Sequence, residues 1–494
     1  MLISGLALGA VLGFVMQRGR FCVTGFLRDI FTQRSWRGFV ALLIVISVHA
    51  IGLAALTSAG VITPEYNELA PLAVIVGGVI FGLGIVLAGG CASGTWYRSG
   101  EGLIGSWIAL VFYALSAAAM KTGFLNGLQD SLKERTVGLT SIHASLGISI
   151  WPLVIALSAL TAYLAVRYLR EEFSGPRPVT LAPRKSGLAH ILTEKAWHVY
   201  ATAAIVGVLG VIAWPLSAAT GRNDGLGITT PSSNLANYVV TGDTERFDWG
   251  VLLVLGILVG SFIAAKASGE FRLRVPDATQ GARSVVGGIF MGVGAAWAGG
   301  CTVGNGMVQT SLFSYQGWLA LASIAAGVAI AAKLWLKPSA SSLNDVPSTP
   351  STTNDTAVSA TAPVTSAATS PVSLPGSEGA GVAGTEASPL AGAFTVAPVA
   401  LLDRSVVKQE DGKLKPLGDG RYELDTVGAV CPFPLIEAKD AINKIEVGEE
   451  LVIPFDCTQA TDAIPRWAAK DGHEVTNFEQ TGEAGWTISV RRGK

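Results

Sequence analysis

Five cysteines carry the chemistry that this 494-residue chain could perform: Cys22, Cys91, Cys301, Cys431 and Cys457. Their number is odd and no two stand as C-x-x-C, which speaks against a disulfide framework or a zinc ribbon and for thiols used one at a time. Two of them sit in matched surroundings. Gly77-Gly78-Val79-Ile80-Phe81-Gly82-Leu83-Gly84 leads to Ala88-Gly89-Gly90-Cys91, and Gly287-Gly288-Ile289-Phe290-Met291-Gly292-Val293-Gly294 leads to Ala298-Gly299-Gly300-Cys301. Glycine lets a helix break and a ligand approach the backbone. A helix broken there exposes N–H groups that bind anions. The thiol adds a weak, polarisable donor, suited to a site that must release what it binds. Gly89, Gly90 and Cys91, with Gly299, Gly300 and Cys301, are therefore candidate contacts for a small anion. The plainer alternative makes Cys a small hydrophobe and Gly-Gly a close helix crossing; duplication of the whole pattern weighs against it.

Cys431 stands in Cys431-Pro432-Phe433-Pro434, after an alternating run Arg421–Gly428 and before the helical period of Pro432–Ile445. Proline suits a first helical turn, so Cys431 is expected at the N-cap, where the helix dipole favours a thiolate nucleophile. Cys457, in Asp456-Cys457-Thr458, reads as a bystander in preference to a resolving thiol.

The elements that must position these thiols are of two kinds. Half of the residues are hydrophobic, only 14% are charged, and there are 59 glycines, which describes a membrane protein with closely packed helices. The run Met1–Gln17 has no basic residues before it and is not a secretory signal. Nine spans are expected, near 1–17, 38–59, 71–90, 102–120, 147–168, 198–217, 248–266, 284–300 and 316–336. With the N-terminus outside, 18 of the 23 Lys and Arg before residue 338 fall in inside segments, a strong positive-inside bias. The two Gly-Gly-Cys segments then lie five spans apart, cross in opposite senses, and make an inverted repeat with re-entrant loops at its centre. A weaker echo links Gly13-Phe14-Val15 with Gly260-Ser261-Phe262. Cys22 has no partner in it, and His49 is read as a packed residue.

Three domains are expected: a transmembrane domain over 1–337, a Pro/Ser/Thr/Ala-rich disordered linker over 338–417, and a small α/β domain over 418–494 with the order β-α-β-α-β-β. From 338 to 400 there is no Lys or Arg and there are four acidic residues; such a chain spans about 45 Å and tethers its two ends. Residues 421–494 carry 8 basic and 13 acidic side chains, which argues against nucleic-acid binding. No phosphate-binding G-x-x-x-x-G-K-[ST] loop occurs, and no metal set is read near the membrane cysteines. No cofactor is called for.

Gln17-Arg18-Gly19-Arg20-Phe21-Cys22 followed by two Ala-Gly-Gly-Cys segments resembles the YeeE/YedE family over about 1–337, and the Cys-Pro-x-Pro domain resembles the TusA/SirA sulfur carriers (YeeD-type). The first resemblance implies thiosulfate import through the bacterial inner membrane by S–H hydrogen bonds from Cys22, Cys91 and Cys301, with Cys91 and Cys301 as near neighbours. The second implies a persulfide on Cys431, formed on the cytoplasmic side, with cytoplasmic sulfurtransferases as acceptors. Beyond membrane lipid, the partner implied is thiosulfate or a similar small sulfur anion. The alternatives are a membrane-anchored sulfurtransferase that transports nothing, a transporter of a related sulfur or selenium anion, and a redox sensor with a disulfide among Cys22, Cys91 and Cys301.

Overall fold

A lipid-facing backbone must satisfy its own hydrogen bonds, so apolar stretches of this length become helices. The structure, a computed structural model, describes residues 2–336 and 414–493. It opens with α1 (Leu2–Arg18), interrupted and continued by the short α2 (Val23–Thr32), then α3 (Arg37–Ser58). The same pattern returns in α4 (Pro71–Leu87) and the short α5 (Ala92–Gly100), followed by α6 (Ile104–Lys121) and the minor helices α7 (Asn126–Lys133) and α8 (Ile142–Ser145). Next come α9 (Trp151–Ser174), α10 (Gly187–Thr193), α11 (Val199–Ala218), α12 (Thr229–Thr241), α13 (Trp249–Ser268), α14 (Ala278–Ala298) and α15 (Tyr315–Trp335), with a π-helical turn Gly304–Gln309 before the last.

Among the described residues, eight segments are long and apolar enough to cross a membrane. The sequence suggested nine. The difference is α14, whose first two turns hold Thr279, Gln280, Arg283 and Ser284 and dilute its apolar run.

Glycines set how the helices meet. A methyl group added at Gly77 would lie 2.5 Å from the Ala298 amide nitrogen, and one at Gly84 would lie 2.7 Å from that of Met291. Reciprocally, Gly294 meets Phe81 and Gly287 meets Ala88, each amide nitrogen at 2.5 Å. The two matched segments therefore pack backbone to backbone and antiparallel, an approach only small residues allow. Their flanks correspond too: Gly78 and Gly82 of α4 lie on Ser323 and Gly327 of α15, while Gly288 and Gly292 of α14 lie on Ala109 and Ala117 of α6.

The weaker echo behaves differently. Gly5, Gly9 and Gly13 lie in turn on Trp249, Leu253 and Ile257, so α1 and α13 run parallel. Helices related by an inversion would run oppositely at such a crossing. Gly13 and Gly260 match because each clears space for the other helix at one shared crossing, and the echo is not part of an inverted pair.

The C-terminal part holds β1 (Leu414–Gly418), β2 (Arg421–Leu424), α16 (Phe433–Ile442), β3 (Glu450–Phe455), α17 (Ala460–Asp471), β4 (Glu474–Gly482) and β5 (Gly485–Arg491). The sheet order is β1-β2-β3-β5-β4, with β2 and β3 parallel and the other pairs antiparallel. On β3, Leu451, Ile453 and Phe455 alternate inward and pack with Leu435, Ala438 and Ile442 of α16 and Ile464 and Trp467 of α17. Each buried aliphatic side chain of this kind contributes about 1.5–3 kcal/mol.

β1 corrects the expected order, which began one strand later. The linker boundary placed residues 414–417 in a disordered segment, yet they pair with β2; the rest of the linker, 338–413, lies outside the described residues. Pro416 and four exposed positions disguise β1, as befits an edge strand. The signal was Asp419-Gly420, a hairpin dipeptide, here with φ of 52° and 69°.

Candidate functional site

Each membrane cysteine lies just past a helix break. α4 ends at Leu87, Gly89 takes φ 71°, and Cys91 becomes the N-cap of α5. α14 ends at Ala298, Gly299 takes φ 77°, and Cys301 follows before the π-helical turn. Positive φ is open to glycine without a Cβ clash, so the first Gly of each Ala-Gly-Gly-Cys stops its helix. Cys22 reaches the same position by another route: Arg20 takes φ 49°, and Cys22 becomes the N-cap of α2.

The starts of α2 and α5 converge. The Cys22 and Cys91 thiols are neighbours: a methyl group at Gly94 would sit 3.3 Å from the Cys91 Sγ and 3.7 Å from the Cys22 Sγ. The first amides of both helices meet the paired thiols there, a setting that suits an anion. Arg98, only 5% exposed, donates from Nη1 to the Gly89 carbonyl and places Nη2 3.9 Å from the Cys22 Sγ. Cys91 Sγ also lies 3.5 Å from Ser93 Oγ. Cys301 is buried, and the Tyr113 hydroxyl donates to Thr229 Oγ1 at 2.8 Å. All three cysteines are buried free thiols, so the disulfide foreseen for a redox sensor is not formed among them. The buried hydroxyls of Thr24 and Thr302 have no hydrogen-bond partner among the described residues.

Cys22, which has no repeat mate, is thus the cysteine that lies beside Cys91 at Gly94. Arg98 escaped the sequence reading, which counted it as a loop charge. The signal was an Arg one turn and three residues beyond Cys91, on the helix its break begins.

The C-terminal domain borders the same cavity as Cys22. Arg28 of α2 donates to the Cys431 carbonyl at 3.3 Å, and the Ala484 amide donates to the Gly269 carbonyl at 3.0 Å. Arg20 donates to Thr461 Oγ1. A cavity of about 1270 Å³ is lined by Cys22, Arg20, Arg28 and Cys431 together. Glu270 anchors its wall, pairing with Arg18 at 3.3 Å and Arg20 at 3.1 Å. Burial alone would push the Glu270 carboxyl up, but the two guanidiniums outweigh it and hold it below the usual carboxylate range.

Two expectations for the thiols of this domain need correction. The Pro432 carbonyl accepts the first helical bond, from the Ile436 amide at 3.2 Å. The N-cap is therefore Pro432, and Cys431 precedes it. Cys457, read as a bystander, is placed directly against Cys431, their Cα atoms 6.2 Å apart.

Residues 18–330 match the family model described as "Sulphur transport". The chain belongs to that family. Its sulphur-transport part is followed by a second match, over residues 422–492, to "Sulfurtransferase TusA". The "Thiosulfate transporter TsuA" of Escherichia coli strain K12 is 51% identical over 328 residues, covering 66% of this chain and 93% of that protein. A protein of the same name from Spirochaeta thermophila is 31% identical over 335 residues, covering 65% and 94%. The "Putative sulfur carrier protein TsuB" of E. coli K12 is 59% identical over 70 residues, covering 14% of this chain and 93% of its own length. This member of the sulphur transport family therefore joins in one chain a polytopic helical membrane domain and a TusA domain.

The TusA domain is held to the membrane helices by an ion cluster. Arg466 of α17 reaches Glu172 of α9 at 2.7 Å, and Arg37 reaches the same carboxylate at 3.2 Å. The charge-reversing E172R should loosen the domain, raising hydrogen exchange in α17 by about five- to tenfold, and adding R466E should recover most of the protection. Because both side chains are about a quarter exposed, the effect should shrink in high salt. Equal exchange in wild type and E172R would mean that this contact does not hold the domain.

Proposed function

We propose that the membrane domain conducts thiosulfate into the bacterial cytoplasm past Cys301, Cys91 and Cys22, and that Cys431 of the TusA domain receives it. The observation that carries this reading is the cavity shared by Cys22 and Cys431, with the Cys91 thiol beside Cys22 at Gly94. The names of the TsuA and TsuB relatives supply the substrate and the carrier role. The chain sits in the inner membrane with its N-terminus outside and its TusA domain inside, an arrangement that the distribution of Lys and Arg supports and that needs α14 to cross as a ninth span. The reciprocal packing of α4 on α14 supports an inverted repeat whose two Gly-Gly-Cys breaks, Gly89-Gly90-Cys91 and Gly299-Gly300-Cys301, meet the substrate. Domain limits of 1–337 and 418–494 are kept, the second extended back to Leu414.

Passage needs weak, successive contacts. Thiol donors at Cys301, Cys91 and Cys22, the unpartnered hydroxyls of Thr302 and Thr24, and the amides of α2 and α5 offer them, and Arg98 supplies the positive charge at the inner end. From Cys22 to Arg28 the helix α2 advances about 9 Å, and Arg28 touches the Cys431 backbone. The Cys431 thiolate then attacks the outer sulfur of thiosulfate: a new S–S bond forms on Cys431, the S–S bond of thiosulfate breaks, and sulfite leaves with the electron pair. Consumption at the exit keeps entry downhill.

Uptake of sulfur-labelled thiosulfate into proteoliposomes tests the reading. Wild type should exceed empty vesicles by more than about tenfold, Cys91→Ala should fall to their level, and Cys431→Ala should retain initial uptake but release no sulfite. Wild type indistinguishable from empty vesicles would overturn it.

A further inference from the structure

Cys457 is the one cysteine that the transport route and the attack on thiosulfate leave without a task. It follows β3 as Cys431 follows β2, and these strands are parallel neighbours. Loops leaving the same ends of adjacent parallel strands come together. Here they are laced by the Thr426 amide on the Pro454 carbonyl at 3.1 Å and the Gly428 amide on Asp456 Oδ1 at 3.0 Å. The Cα separation of 6.2 Å lies within the range that a disulfide spans without backbone movement. The two thiols are not equivalent. Cys431 lines the cavity and is half-buried, whereas Cys457 is 6% exposed and packs among Leu451, Ile453 and Trp467 in the domain core. A substrate in the cavity meets Cys431, and only Cys431 meets Cys457.

We propose that Cys457 is the resolving thiol of Cys431, which makes the TusA domain a dithiol-driven thiosulfate reductase; this rests on the persulfide reading above. The Cys457 thiolate attacks Sγ of the Cys431 persulfide. The Cys431–Cys457 bond forms, the bond between Cys431 Sγ and the outer sulfur breaks, and that sulfur leaves with the electron pair as hydrosulfide. Hydrosulfide is the weaker base of the two possible leaving groups, which favours its departure. Over the cycle thiosulfate and two thiols give sulfite, hydrosulfide and one disulfide. The two thiols are oxidised, and the outer sulfur of thiosulfate takes up their two electrons. The adjacency of Cys431 and Cys457, with Cα atoms 6.2 Å apart, is what this turnover requires. A dithiol reductant, small molecule or protein, restores the pair and is the co-reactant of the cycle. The outer sulfur is thus released as a free ion that a thiol-acceptor reaction need not collect from the carrier.

The test uses the full chain in lipid nanodiscs, reduced, freed of reductant, and mixed with thiosulfate labelled in its outer sulfur. Wild type should release sulfite and labelled hydrosulfide in equal amounts, about one of each per chain, and peptide mass spectrometry should find Cys431 linked to Cys457. Cys457→Ser should release sulfite to the same extent, lower hydrosulfide by about tenfold or more, and accumulate Cys431 heavier by one labelled sulfur. Wild type that releases sulfite but stops at a stable Cys431 persulfide would overturn the resolving role and leave the persulfide reading intact. Hydrosulfide release that persists in Cys457→Ser would overturn it as well. Absence of both products from wild type would bring down the persulfide reading and this inference with it. The wild-type outcomes decide even if the variant misfolds.

Discussion

Glu270→Ala should destabilise the membrane domain by about 3–5 kcal/mol, because it strands a buried charge. Arg18 is 1% exposed and Glu270 5%, and Glu270 takes Arg18, Arg20 and the Gln17 amide at 2.6 Å. These bonds tie the C-terminal end of α1 to the segment after α13. Removing the carboxylate leaves the Arg18 guanidinium with the Lys195 carbonyl and the Gln17 side chain as its hydrogen-bond acceptors, neither of them charged. Removing both partners should be far milder: Arg18→Met with Glu270→Leu should recover most of the loss, since a well-packed apolar pair avoids the desolvation cost. Thermal unfolding in detergent reads both. A Glu270→Ala midpoint within about 2 °C of wild type would show that the pair contributes little net stability. Because Arg20 also lines the cavity shared by Cys22 and Cys431, the single variant should slow thiosulfate turnover at temperatures where it is still folded.

The second large effect is expected where α4 crosses α14. Gly84→Val would drive a branched side chain into the Met291 amide and the Gly287 carbonyl, which a Cβ alone would meet at 2.7 and 2.8 Å. These are backbone atoms of a helix, so no rotamer change can make room. The helices must separate, at a cost of about 3 kcal/mol or more. Gly294→Val, the reciprocal position, should do the same. Gly281→Ala on α14 is the contrast, for nothing lies within 4 Å of its added methyl; it should stabilise by up to about 1 kcal/mol through helix propensity and a less flexible unfolded chain. Thermal stability by size-exclusion chromatography distinguishes the signs. A neutral Gly84→Val would mean that the crossing is loose, and would remove the packing support for the inverted repeat.

Much of the candidate site was legible because it is local chemistry. A helix that runs into Ala-Gly-Gly-Cys ends there, since glycine adopts positive φ at little cost; Gly89 and Gly299 do this in the same way. Membrane character follows equally directly from apolar runs and from Lys and Arg concentrated in alternate loops. The TusA domain announces itself through Cys-Pro-x-Pro between a strand and a helix. These features depend on residues close together in the chain.

The contacts between distant segments were decided by packing. Cys22 meets Cys91 because α2 and α5 start at the same place, and nothing in the neighbourhood of Cys22 encodes that. Arg98 looks like an exposed loop charge until α5 carries it back under Gly89 and beside Cys22. The echo of Gly13 with Gly260 looks like a repeat until α1 and α13 prove to run parallel. Cys457 looks idle until the parallel pairing of β2 with β3 brings its loop to Cys431. By itself the sequence determined where helices break and which class of membrane protein this is, because torsional preference and hydropathy act over a few residues. The tertiary structure alone decided which thiol faces which, because that depends on the register of helices and strands far apart in the chain, set by backbone contact at glycine crossings and strand pairing.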